Sequence, residues 1–128
     1  MSGSHSRRKG QTGEQELCRL LRAGLGIEVE RNLLQSRSGG HDIELPGIGL
    51  EVKRAATVNA AMVRVWWKQA VRQADTAKLC PALAYRADRQ PWTVRLPLVA
   101  LGPELLGELT VDLGLDGFLA LLGSGWRP

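Results

Sequence analysis

Apolar and polar residues alternate through 41–53, broken once at Pro46-Gly47. A period of two is that of a β-strand, whose successive side chains point to opposite faces. Ile43, Leu45, Leu50 and Val52 fall on one face, and Asp42, Glu44, Glu51 and Lys53 on the other. The stretch reads as a hairpin pairing Leu45 with Ile48, Glu44 with Gly49, Ile43 with Leu50 and Asp42 with Glu51. A two-residue and a four-residue loop both give this register. The poor fit of L-Pro-Gly to two-residue hairpin turns favours the longer loop.

The rest of the chain arranges itself around that hairpin. Leu17, Cys18, Leu20 and Leu21 recur at helical spacing after Thr12, the better N-cap, or Gly13, and Gly24 and Gly26 end the helix. Ile27 to Leu34 alternates as a strand, and the polar loop Gln35 to Gly40 follows it. Asn59 to Lys78 is the longest helical pattern, with Met62, Val63, Trp66, Trp67, Ala70, Val71 and Ala74 on a wide apolar stripe. Pro81 to Arg86 and Trp92 to Leu96 read as an antiparallel pair turned at Asp88 to Pro91. Pro103-Glu104 has the form of a helix first turn, and Leu115 to Leu122 that of a short helix. The order through Leu96 is α-β-β-β-α-β-β, a mixed sheet flanked by helices. We divide the chain into a flexible basic arm (1–11), a core (12–97) and a Leu/Gly-rich extension (98–128) that packs on the core or on a partner copy.

With 128 residues there is room for one domain with a real core. Its 17 Lys and Arg outnumber 13 Asp and Glu, which suits a polyanionic partner. No apolar run has the length of a membrane span, and no secretory leader pattern opens the chain. Cys18 and Cys80 lack metal-ligand spacing and read as buried thiols of a reducing compartment, so a cytoplasmic location is expected.

The candidate chemistry lies on the polar face of the hairpin. Asp42 and Glu51 stand opposite each other with Cβ atoms roughly 5 Å apart, an arrangement that destabilises a sheet unless the charges are neutralised. A divalent cation held by oxygen ligands would neutralise them; a solvent-facing hairpin side is the plain alternative. Glu14 and Glu16 sit in the expected first turn of the first helix, where its dipole already accounts for both. Trp66 and Trp67 read as packing residues rather than a stacking platform.

Asp42 with Glu51-Val52-Lys53 resembles the motif of the PD-(D/E)xK nuclease superfamily, with His41 at the variable proline position. Lys9-Gly10 followed by Glu14-Gln15-Glu16-Leu17 resembles the opening helix signature of archaeal-type Holliday junction resolvases, which also occur in bacteriophages. The resemblance covers about Arg8 to Leu98, with a shorter segment between Asp42 and Glu51 than in several archaeal members. It implies a restriction-endonuclease-like α/β fold and a catalytic set of Glu14, Asp42, Glu51 and Lys53, with Glu16 as the off-register candidate. Asp42, Glu51, the Val52 carbonyl and Glu14 would hold Mg²⁺, with Mn²⁺ as a substitute. Glu44 is a possible accessory ligand, and Gln69 or Gln73 corresponds to the glutamine often found after E-x-K.

The implied activity is paired cleavage of four-way DNA junctions by a homodimer, because a two-fold substrate asks for two sites. The basic arm with Arg7, Arg8 and Lys9, together with Arg31, Ser36, Arg37, Ser38, Arg54, Arg64 and Lys68, would contact DNA, chiefly its phosphates. Either Ser36 or Ser38 would assist in the site. The rival readings are another PD-(D/E)xK nuclease of repair or restriction type, and a non-catalytic DNA-binding module.

Overall fold

The hairpin forms in the expected register at three of the four expected pairs, and the fourth, Asp42 with Glu51, is not a ladder pair. A computed structural model describes residues 3–26, 41–102 and 107–128, with side chains from Thr12 onward in the first stretch. Strand β1 (Ile43–Leu45) pairs antiparallel with β2 (Ile48–Ala55), matching Ile43 with Leu50, Glu44 with Gly49 and Leu45 with Ile48. The connection is the two-residue one, against the expectation of a longer loop. Gly47 takes φ +78°, a left-handed value open to glycine, so Pro46-Gly47 closes the turn without further residues.

Helix α2 (Ala60–Ala77) follows β2. Asn59 caps its start, accepting from the Met62 N–H at 2.9 Å, and Lys78 ends it at φ +59°. The chain then returns as β3 (Cys80–Ala87), parallel to β2 from Ile48/Cys80 to Ala55/Ala87. Strand β4 (Thr93–Pro97) is antiparallel to β3, as expected, with Arg89 at φ +66° in the turn. Beyond it, β5 (Thr110–Gly114) pairs antiparallel with β4, and α3 (Leu115–Gly123) closes the chain. The sheet runs β1-β2-β3-β4-β5, mixed and flanked by helices, the α/β class expected. The expected strand at 27–34 and helix turn at Pro103-Glu104 lie outside the described residues.

Alternation along the strands gives the sheet two apolar faces. On one, Leu17 and Leu21 of helix α1 (Gly3–Leu25) and Phe118 and Leu122 of α3 pack on Ile43, Leu50, Val52, Ala84 and Val94. On the other, Val63 and Ala70 of α2 pack on Leu83, with Trp66, Trp67 and Tyr85 partly buried around them. The tryptophans are packing residues here, and Trp66 lies 6.5 Å from the Tyr85 ring, centroid to centroid. Cys18, buried, and Cys80, partly buried, are not joined in a disulfide.

Helix α1 departs from expectation at its start. It spans Gly3–Leu25, so Thr12 and Gly13 are interior to it. Helix growth is cooperative, so a segment anchored by Leu17 and Leu21 extends toward the N-terminus without a strong stop. Gly13 serves as a contact: a Cβ there would sit 3.3 Å from the Arg54 Cβ and 3.6 Å from the Trp92 ring. With the helix start so far upstream, the dipole no longer accounts for Glu14 or Glu16, because its effect is confined to the first turn.

β5 and α3 belong to the same layers as the preceding strands, since Phe118 is fully buried among residues of α1 and the sheet. Phe118→Ala is expected to cost about 3–5 kcal/mol of stability, read as a lowered urea midpoint with an unchanged slope.

Candidate active site

The site starts where β1 begins. The Asp42 N–H donates to the Leu50 carbonyl at 3.1 Å, while Leu50 is the register partner of Ile43. Asp42 therefore leaves the ladder, and its side chain supplies the next rung: the Val52 N–H donates to Oδ2 at 2.8 Å. His41, just before it, is buried against Gly49, where a Cβ would come within 3.2 Å of the imidazole. Its Nε2 lies 3.0 Å from Glu44 Oε1. Glu44 itself is exposed and engaged with His41.

Glu51 lies on the α2 face of β2 and is only 1% exposed, and Asp42 is 4% exposed. Lys53 Nζ stands 3.4 Å from Glu51 Oε1, and Gln69 Nε2 of α2 donates to the same oxygen at 3.3 Å. Gln69 is thus the glutamine that faces the E-x-K strand, which the sequence left undecided between it and Gln73. The other oxygen, Glu51 Oε2, is buried without an N–H or hydroxyl donor among the described residues.

Burial and the nearby Glu51 charge push the Asp42 carboxyl up to about 7. Burial also raises Glu51, with Lys53 opposing and the Glu14 charge adding to the rise. The two carboxyls form one buried pair of like charge, and each is raised above its ordinary value. A proton is one way to relieve two buried like charges, and a cation is another.

The donor set fits a hard divalent ion. It offers carboxylate oxygens, one of them buried without a donor among the described residues, in a pair that carries excess negative charge once both are ionised. Among the described residues, no three His, Cys, Asp or Glu side chains gather closely enough to enclose an ion. Glu14 lies on α1, apart from the hairpin, and Glu44 Oε1 is 3.0 Å from His41 Nε2.

Glu14 and Glu16, indistinguishable as helix-start acids, have different partners. Glu16 accepts from Arg86 Nη2 and Trp92 Nε1, each at 2.9 Å, and lies 3.5 Å from Arg54. Burial pushes its pKa up, but these partners hold it below the usual carboxylate range. Glu16 is a strut between α1 and the ends of β2 and β3. Glu14, two residues earlier, is the one whose charge Glu51 feels.

The expected DNA contacts divide similarly. Arg64 and Lys68 are exposed on α2. Arg54 is engaged instead with Glu16 and, at 3.2 Å, with Asp88, so it braces α1 rather than facing solvent as a phosphate contact. Arg31, Ser36, Arg37 and Ser38 lie outside the described residues, as do the side chains of Arg7, Arg8 and Lys9, which fall within α1. Sequence reasoning missed the Arg86–Trp92 contact with Glu16 and the His41 seat on Gly49. It also missed a cluster of Tyr85, Arg95 and Asp112, in which Arg95 holds Asp112 through two hydrogen bonds of 2.7 and 3.1 Å. A basic or aromatic residue at the end of each strand was the available signal for the first.

The raised Asp42 carboxyl makes the metal-free protein sensitive to pH. Its folded value lies above the ordinary 3.8, so folding binds a proton that the unfolded chain releases earlier. This contribution is complete below about pH 3.8 and is lost as pH rises through about 7. Asp42→Asn removes this carboxyl's share of the dependence and stabilises the metal-free protein at pH 8 by on the order of 2 kcal/mol, checked by urea unfolding across pH with chelator present.

A family model matches the chain over residues 5–112, and its description is "Phage putative PDDEXK endonuclease". No curated protein and no solved structure matches it. The matched stretch contains Asp42 and Glu51, the Lys53 and Gln69 that meet Glu51, and Glu14. Five-stranded mixed sheet, flanking helices and matched sequence agree, and the chain belongs to the phage PDDEXK endonuclease family.

Proposed function

We propose that this endonuclease cuts branched DNA, with four-way junctions as its preferred substrate, using Mg²⁺ held by Asp42 and Glu51. The observation that carries the hydrolytic reading is the buried carboxylate pair beside Lys53, with Glu51 Oε2 left without a donor among the described residues. The junction reading rests on the resemblance of Lys9-Gly10 and Glu14-Gln15-Glu16-Leu17 to the resolvase helix. It is supported by the separation of Glu14, which acts electrostatically on Glu51, from Glu16, which braces the helix.

When bound, the ion supplies positive charge to a phosphate oxygen and lowers the pKa of a neighbouring water. Asp42 and Glu51, in their ionised forms, would hold the ion, with the Val52 carbonyl as a further oxygen ligand. The hydrogen bond from the Val52 N–H orients Asp42, and Gln69 and Lys53 orient Glu51. Lys53 presents its ammonium to the phosphate as negative charge develops there and orients the attacking water. Glu14 would add negative potential to the site, as it does for Glu51, and would serve as an outer ligand or orient water beside the ion. Arg64 and Lys68, exposed on α2, contact flanking phosphates without reading sequence. A homodimer places two such sites on the two-fold substrate, and the protein works in the host cytoplasm.

Glu51→Gln is expected to lower Mg²⁺-dependent cleavage by at least two to three orders of magnitude, on the order of a lost transition-state contact or more, with junction binding retained. Cleavage of a four-way junction, a flap and a linear duplex compared in one assay tests the substrate. Junction preference is expected, and equal rates on plain duplex would identify a general nuclease of the same superfamily. Absence of cutting on all three with Mg²⁺ or Mn²⁺ would leave a DNA-binding module. Sedimentation at low micromolar concentration is expected to give a dimer.

A further inference from the structure

The face of the sheet that carries Glu51 and Lys53 continues across β3, β4 and β5. Lys53 is the register partner of Tyr85, Leu83 of Arg95, and Arg95 of Asp112. Neighbouring strands lie roughly 4.8 Å apart, so Tyr85 begins about 5 Å from Lys53, and Arg95, in register with Leu83 and Glu51, about 10 Å from Glu51 across the sheet. Between this face and the start of α2 is a pocket of about 360 Å³, lined by Val58, Ala60, Val63, Arg64, Tyr85, Arg95, Asp112 and the helix cap Asn59.

Its polar groups are set in a defined arrangement. Asp112 accepts two hydrogen bonds from Arg95, through Nε and Nη2, and a third at 3.1 Å from the Tyr85 hydroxyl. The Arg95 cation holds Asp112 below the usual carboxylate range, while burial and the Asp112 charge push the Tyr85 phenol up. Phenol and carboxylate therefore stay in their donor and acceptor forms. The pocket holds an aromatic ring, aliphatic walls, a carboxylate acceptor and a guanidinium edge.

A phosphate would meet the Asp112 carboxylate there and an arginine already neutralised by it. A nucleobase suits the pocket better, because it stacks on an aromatic ring and carries both hydrogen-bond donors and acceptors along its edge. We infer that the Tyr85–Arg95–Asp112 pocket receives an unpaired nucleobase one or two nucleotides from the cleaved phosphate. The enzyme would then favour DNA that has an unpaired or readily opened nucleotide at the branch. This inference rests on the reading of the Glu51/Lys53 face as the cutting site, and it names the feature of branched DNA that the site selects.

Binding measured without divalent metal separates the pocket from cleavage. The probes are a labelled oligothymidylate and a strand of the same length built from abasic units, read by fluorescence anisotropy. Wild-type protein should bind the thymidylate about tenfold or more tightly than the abasic strand, the scale of one stacked base. Tyr85→Ala should remove most of that ratio without weakening the abasic complex, and Tyr85→Phe, which keeps the ring, should retain much of it. Ala60→Trp offers a second route, since Ala60 is exposed at the pocket rim and the larger side chain blocks entry without removing a core contact. It too should collapse the ratio. Equal affinity for the two strands, or a ratio unchanged in both Tyr85→Ala and Ala60→Trp, would overturn the inference. If wild-type protein discriminates in this way yet cuts no DNA with Mg²⁺ or Mn²⁺, the base pocket stands and the nuclease reading falls. Cutting without discrimination would overturn the base pocket and leave the nuclease reading in place.

Discussion

Two carboxylates facing each other in a nearly dry sheet must be neutralised, and the surroundings of Asp42 and Glu51 are arranged for that demand. Lys53 and Gln69 converge on one oxygen of Glu51 and leave the other without a donor among the described residues. Asp42 leaves the β1 ladder so that the Val52 N–H can hold its carboxylate. In the metal-free protein burial, and after it the Glu51 charge, push the Asp42 carboxyl up to about 7, so that a proton relieves the pair. A divalent cation in that place is the alternative form of the same neutralisation. The stability conceded by burying the pair is the cost of a ready-made site, a pattern that recurs where function opposes packing.

The remaining elements hold that pair in place. β2 lies second in the sheet, with α1 on its Ile48, Leu50 and Val52 face and α2 on its Glu51 and Lys53 face. Glu16 ties α1 to the strand ends through Arg86, Trp92 and Arg54, which fixes Glu14 relative to Glu51. Gly13 allows the helix to lie close against Arg54 and Trp92. His41, at the position of the motif proline, is seated on Gly49, so that the chain enters the strand at a set angle. Residues far from the chemistry thus determine its geometry.

The hairpin register was legible because period-two alternation admits only one way to bury Ile43, Leu45, Leu50 and Val52 together. The length of its turn was not, since Pro46-Gly47 closes in two residues once glycine takes a positive φ. The turn at Asp88 to Pro91 was legible for local reasons. The start of α1 was not, because cooperative extension carried the helix past the local cap at Thr12. Glu14 and Glu16 became distinguishable only through partners 70 and 76 residues away from Glu16. The Tyr85, Arg95 and Asp112 cluster joins residues 27 and 17 positions apart across three strands, and it depends on β5, whose short run at Thr110–Gly114 carries little pattern of its own. Local chemistry reads from sequence; convergence of distant strands needs the fold.

The central claim, that a cation takes the place of the proton on Asp42 and Glu51, is tested most directly by titration calorimetry with Mn²⁺ near pH 6, in buffers of different ionisation enthalpy. Because the Asp42 carboxyl lies at about 7 in the metal-free protein, binding should release about one proton per ion, and Glu51→Gln should abolish binding. Binding without proton release, or unchanged in Glu51→Gln, would contradict the account.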